Sequence, residues 1–175
     1  VDRLDEACRI IRGLLDDELT DMDGRHHRIR GARNEPKPIQ QRLPLLIGGK
    51  GDRMLRLVAR HADEWNLWGL PEVIAARAAV LDRSCEAIGR DPATIRRSAQ
   101  ALVLLTDDPA RARAAVDAAA PRAAFAGTPE QFAELVEQWA EVGVDEVIVP
   151  DTLLGSGTQR FEALDALRDA VAGRA

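Results

Sequence analysis

A parallel α/β sheet, open or closed into a barrel, is the fold class this sequence predicts. Two observations predict it. After an opening helix and a hairpin, a strand followed by a helix recurs four times. The strands are short and apolar along their length instead of alternating, as expected where both faces of a sheet are covered.

The opening helix rests on Leu4, Ala7, Cys8, Ile11, Leu14 and Leu15, whose three-to-four spacing lines up one apolar stripe. In "LTDMDGRHHRI", Asp23-Gly24 falls between two strand-like stretches and predicts a tight hairpin turn, which needs positive φ angles. Pro36, Pro38 and Pro44 then forbid a helix and favour an extended crossing. "LLIGG" reads as the first strand of the repeat, followed by a helix through Met54, Leu55, Val58 and Ala59.

"EWNLWG" is the second strand. The longest helix follows over 71–88, with Ile74, Ala78, Leu81, Cys85 and Ile88 on one face and Gly89 as its stop. "SAQALVLLT" is the third strand, and an Ala- and Arg-rich helix follows over roughly 108–120. In "GTPEQ", Thr128 caps, Pro129 fits the first helical position and Gln131 completes a capping box. Phe132, Leu135, Val136 and Trp139 form the buried stripe of that helix and Gly143 ends it. "DEVIVP" is the fourth strand, and Phe161, Leu164, Leu167 and Val171 mark a final helix.

Composition narrows the function classes. The 175 residues are 46% hydrophobic and 30% charged, enough for one domain with a real core and unlike a disordered or fibrous chain. The formal charge is −5 and the pI near 5.3, and no Lys/Arg stripe is interleaved with aromatics, so nucleic acid is not an expected partner. No apolar run nears the roughly 20 residues that span a bilayer, so no membrane partner is expected and a cytoplasmic setting is. Cys8 and Cys85 lie on apolar helix faces and read as buried thiols.

The chemistry-bearing candidates centre on "PLLIGGKGDRMLR". Gly48, Gly49, Lys50 and Gly51 sit where a strand hands over to a helix, the carboxyl edge at which parallel α/β folds bind ligands. Glycines let the backbone approach closely, and free N–H groups at a helix start point toward an anion. The named phosphate motifs do not fit: a P-loop needs glycine where Pro44 stands and Ser or Thr where Gly51 stands, and a dinucleotide fingerprint needs glycine at Met54. A tight turn that merely needs small residues is the plain alternative.

Trp65, Asn66 and Trp68 surround the end of the second strand, where two indoles could flank a planar ring or pack in the core. A calcium loop around "DMDG" fails at Leu19 and Arg30. His26 and His27, adjacent on a strand, would face opposite ways, and His61 closes a helix where a cation suits the dipole, so no metal site is expected. Asp145-Glu146 precedes a strand at the edge away from ligands, while Asp151 and Thr152 follow it. No Ser/His/Asp or Cys/His constellation assembles, and no catalytic residue is assigned.

Six stretches in register carry a family resemblance: "RLDEACRIIRGLL", the "DGRHHRI" hairpin, "PKPIQQRLPLLIGGKG", "RLVARHADEWN", "GTPEQF" and "GVDEVIVP". Together they are similar to the carboxyl-terminal half of bacterial luciferase-like monooxygenases, and most to the subgroup using the deazaflavin coenzyme F420. The resemblance covers nearly the whole chain, so residues 1–175 are expected to form a single luciferase-like α/β domain.

That resemblance implies the second half of a TIM-type (β/α)8 barrel with a small β-hairpin excursion, binding F420 (alternatively FMN) at its carboxyl mouth. It places Gly48 and Gly49 near the cofactor phosphate, with Lys50 and Gly51 included by position, and Glu64 where many relatives carry glycine. The expected activity is oxidoreduction of a small-molecule substrate, by hydride transfer with F420 or oxygen insertion with reduced FMN. The four strands would be the barrel's fifth to eighth. A half barrel exposes strand edges and an apolar face, so it needs its missing half or a homo-oligomer. The alternatives are a non-catalytic half barrel that self-associates or binds a phosphate-bearing ligand, and a barrel acting on sugar phosphates.

Overall fold

The computed structural model describes residues 1–173. Contacts divide the chain into two compact units, Val1–Trp65 with Val80–Ile95, and Asn66–Ala79 with the chain from Arg96 onward. Two of the three dividing lines fall inside an element, one in a strand and one in a helix.

The first unit opens with α1 (Asp2–Asp16), followed by the antiparallel hairpin β1 (Thr20–Asp23) and β2 (Arg28–Ala32). The proline segment crosses without regular structure to β3 (Leu46–Gly48), which leads into α2 (Asp52–His61). α2 has the strongest two-sided character, with Leu55, Leu57, Val58 and Ala59 all fully buried and Asp52, Arg53, Arg56 and Arg60 outward. β4 (Glu64–Trp68) begins here beside β3, and the last turns of α3 (Pro71–Glu86) return to this unit.

Gly89, at φ +71°, ends α3 as the sequence predicts, with its N–H donating to Glu86 O and that of Arg90 to Cys85 O. Ile74, Ala78, Leu81 and Cys85 are buried as predicted; Ile88 lies past the helix end and is half exposed. Both cysteines are buried and neither is in a disulfide.

In the second unit β4 neighbours β5 (Arg96–Gln100), which pairs in parallel with β8 (Glu146–Ile148) in the register Ser98 opposite Glu146 and Gln100 opposite Ile148. β6 (Leu102–Leu105) pairs in parallel with β7 (Ala124–Gly127), Leu102 opposite Ala124. α4 (Pro109–Ala119), α5 (Pro129–Glu141) and α6 (Thr158–Ala172) complete the unit.

Two details correct the sequence reading. The stretch expected as one third strand is two, broken at Ala101, because Gln100 is the last residue paired to β8 and Leu102 the first paired to β7. β7 is a strand the sequence reading missed, so five strand segments precede helices where four were expected.

The α5 start matches its prediction in full. The Thr128 hydroxyl accepts from Gln131 N–H, and the Gln131 side chain accepts from Thr128 N–H. The hairpin is present, but its turn is not the tight Asp-Gly type. Residues Gly24–His27 form a longer loop, and Gly24 does not adopt a positive φ. His26 and His27 therefore sit in that loop and not on a strand.

Candidate functional site

The glycine turn lies at the carboxyl end of β3. Gly48 is the last strand residue, and Gly51 is the residue just before α2. Gly48, Lys50 and Gly51 are exposed and Gly49 is half-buried. Gly49 adopts φ +146°, and a Cβ there would lie 2.5 Å from Met54 Cγ, so both conformation and space require glycine. Around Gly51, by contrast, an added Cβ would meet nothing within 4 Å.

No side chain caps the start of α2. The first N–H groups of a helix have no partner within it, which leaves this end able to face an anion. Lys50 adds a positive charge next to it, and Asp52 in the first turn opposes one. The turn is pinned from beneath by Trp65, whose indole Nε1 donates to Gly49 O at 2.8 Å. The Gly49 carbonyl is thereby occupied. The donor set at this turn suits an anion, with the Asp52 carboxylate set against it.

β4 divides the three other candidates by strand alternation. Trp65 and Leu67 are buried, whereas Glu64, Asn66 and Trp68 share the opposite face and are half-buried. Trp65 thus supports the glycine turn from the covered side. In the second unit Asn66 Nδ2 donates to Ser98 Oγ at 2.9 Å, which fixes its amide against β5 and places Ser98 and Gln100 on the same face as Asn66. Trp68 packs against the buried cluster of Leu102, Ala119 and Ala124 together with Leu153.

Sequence reasoning passed over Ser98 and Gln100. The signal available was two polar residues, two apart, at the head of the otherwise largely apolar stretch "SAQALVLLT". Asp145 and Glu146 are engaged with β5: the Asp145 carboxylate accepts Arg97 N–H at 2.7 Å, and Glu146 pairs with Arg96 at 2.9 Å.

Three carboxylates hold the frame of the first unit, and the sequence reading assigned none of them a role. Asp63 accepts Arg12 at 2.5 Å, Arg42 at 2.8 Å and Leu45 N–H at 2.8 Å. Burial alone would raise its pKa, but Leu45 N–H and the two guanidiniums outweigh burial and hold it below the ordinary aspartate range.

Asp5, buried on α1, meets His61 Nε2 at 2.8 Å, Arg60 at 3.4 Å and Arg9. There too burial pushes upward, and the hydrogen bonds from His61 and Arg9 prevail and lower it. Glu6 accepts the backbone N–H groups of Arg25, His26 and His27, each at 2.9 Å, and so ties the hairpin loop to α1. Among the described residues no group of three His, Cys, Asp or Glu side chains is placed to hold a metal ion. No helix among them is long and apolar enough to cross a membrane.

With this geometry established, comparison with known proteins decides the family. The family description of luciferase-like monooxygenases matches residues 1–126. The chain belongs to the luciferase-like monooxygenase family.

Solved structures share its fold. The coenzyme F420-dependent tetrahydromethanopterin reductase of Methanopyrus kandleri superposes with a TM-score of 0.79 at 15% identity, over 98% of this chain and 62% of that one. An F420-dependent secondary alcohol dehydrogenase, solved with an F420–acetone adduct, gives 0.73 at 18% identity, over 94% and 61%. A riboflavin lyase solved with modified FMN and riboflavin gives 0.70 at 14% identity, over 89% and 48%. The chain thus spans about three-fifths of the length of the first two and half that of the third. At these identities the likeness is one of fold: the parallel α/β units expected from the sequence are those of luciferase-like barrels.

Proposed function

We propose that this chain is part of a deazaflavin- or flavin-dependent oxidoreductase acting on a small molecule, with F420 as the cofactor and FMN as the alternative. The observation that carries this reading is the glycine turn: an exposed, uncapped helix start after β3, in a luciferase-like chain. Gly48, Gly49 and Gly51 offer backbone room and N–H donors to the cofactor phosphate, and Lys50 offers a charge. Trp65 acts through Gly49, whose carbonyl it occupies. Asn66 and Trp68 lie on the half-buried face of β4, and there they are suited to lining a ring or substrate.

When bound, F420 would supply hydride transfer to or from a substrate carbon, and reduced FMN would supply oxygen activation. The protein's own contribution is orientation and exclusion of water. Fluorescence titration of the full-length protein with F420 and with FMN tests the reading. Saturable binding of one or both, weakened by Lys50→Ala, is expected; binding of neither would end it.

A second reading is a non-catalytic unit that self-associates. It is favoured by Phe161 and Leu164 on α6, which are 67% and 40% exposed. Sedimentation of the chain at several concentrations tests it, and a monomer throughout would remove it.

A further inference from the structure

Between α2 and the last turns of α3 the first unit carries a groove of about 610 Å³ that nothing above uses. Three guanidiniums line it, Arg56 and Arg60 from one row of α2 and Arg83 from α3, against the single carboxylate of Asp52. Val80 and Ile88 supply an aliphatic part, and Ile88 is 52% exposed. Arg60 is already engaged, reaching Asp5 at 3.4 Å and Arg56 O at 3.3 Å. Arg56 and Arg83 have no side-chain hydrogen bond or ion pair among the described residues.

On a chain of net charge −5, two unmatched guanidiniums facing one concavity form a local excess of positive charge. Guanidinium forks match the oxygens of a phosphate and take them two at a time. The groove is far larger than a lone phosphate needs and has an aliphatic side, so its complement is an anion with an apolar body.

We propose that this groove binds a phosphomonoester carrying an apolar body, with Arg56 and Arg83 on the phosphate and Val80 and Ile88 against the body. The seat does not depend on the cofactor assignment, and of the glycine-turn segment only Asp52 borders it.

The test is calorimetric titration of the full chain with 1-naphthyl phosphate at low ionic strength, with inorganic phosphate for comparison. Saturable one-to-one binding is expected, about tenfold or more weaker for inorganic phosphate. The Arg56→Ala/Arg83→Ala double variant should lose about tenfold or more in affinity, a change that follows from removing two charge-assisted contacts. Both arginines are exposed, so circular dichroism and melting should match the parent. Arg168→Ala, on α6, should leave binding unchanged. Absence of saturable binding, survival of binding in the double variant, or equal affinity for inorganic phosphate would each overturn the proposal.

Discussion

Trp65 Nε1 donates a hydrogen bond to Gly49 O at 2.8 Å, and the indole that makes it is 1% exposed. One bond thus fixes the height of the glycine turn above the end of β3. Trp65→Phe keeps most of the apolar volume and removes the donor, leaving a half-buried carbonyl without its partner. The expected cost is about 1–3 kcal/mol, the penalty for an unsatisfied group, measured by urea unfolding. A loss below about 0.5 kcal/mol, ordinary for a surface substitution, would contradict the role given to this bond.

Gly49→Ala should be costlier than its small size suggests. The residue must keep φ +146°, and its Cβ would press on Met54 Cγ. Strain of about 1–3 kcal/mol is expected from the backbone alone. Adding Met54→Ala should relieve the clash and not the backbone strain, so the double variant recovers only part of the loss relative to Met54→Ala alone. Full recovery would show that space, and not conformation, is what requires glycine.

Glu6 sets an acid limit on the hairpin loop. Burial would raise its pKa, but the N–H groups of His26, His27 and Arg25 outweigh that and lower it. A carboxylate with a depressed folded pKa stabilises fully above its unfolded pKa, and the contribution disappears as pH falls through the folded one. The protection factors of the Arg25, His26 and His27 amides should therefore be high at neutral pH and fall selectively on acidification below the ordinary glutamate range. In Glu6→Gln the selective step should be absent. Equal acid sensitivity in parent and variant would remove Glu6 as its cause.

Asp63 is the second acid-sensitive point. Its carboxylate joins Arg12 of α1, Arg42 of the proline segment and the backbone ahead of β3. Asp63→Asn should cost about 2 kcal/mol at neutral pH, within the range for hydrogen bonds to charged groups. Because the folded pKa is depressed, the gap between parent and variant should be full above the ordinary aspartate pKa and close as pH falls through the lower folded value. Chemical unfolding across that window checks it, and a pH-independent gap would contradict it.

What the sequence made legible was local. The capping box at Thr128–Gln131, the stop at Gly89 and the glycine turn at Gly48–Gly51 are each encoded by adjacent residues whose backbone demands are specific, and each stands where expected. What was not legible depends on distant partners. The break at Ala101 exists because β5 and β6 pair with different strands, β8 and β7, which no local pattern announces. β7 itself reads Ala-Phe-Ala-Gly, with one strand-favouring residue among four.

The hairpin loop was misread because Glu6, 17 residues before Asp23, replaces the tight turn with a carboxylate clamp. At the site, grouping Trp65 with Asn66 and Trp68 followed proximity in sequence. The alternation of β4 sends Trp65 to the covered face instead, where its role is to support Gly49.

The most direct measurement compares the affinity of the full-length protein for FMN and for riboflavin, which differ only by the phosphate, alongside F420 and its phosphate-free chromophore. If the turn at Gly48–Gly51 grips the phosphate, each phosphorylated form should bind about tenfold or more tightly than its partner, and Lys50→Ala should narrow the gap. Equal affinity with and without the phosphate would contradict the assignment of that turn.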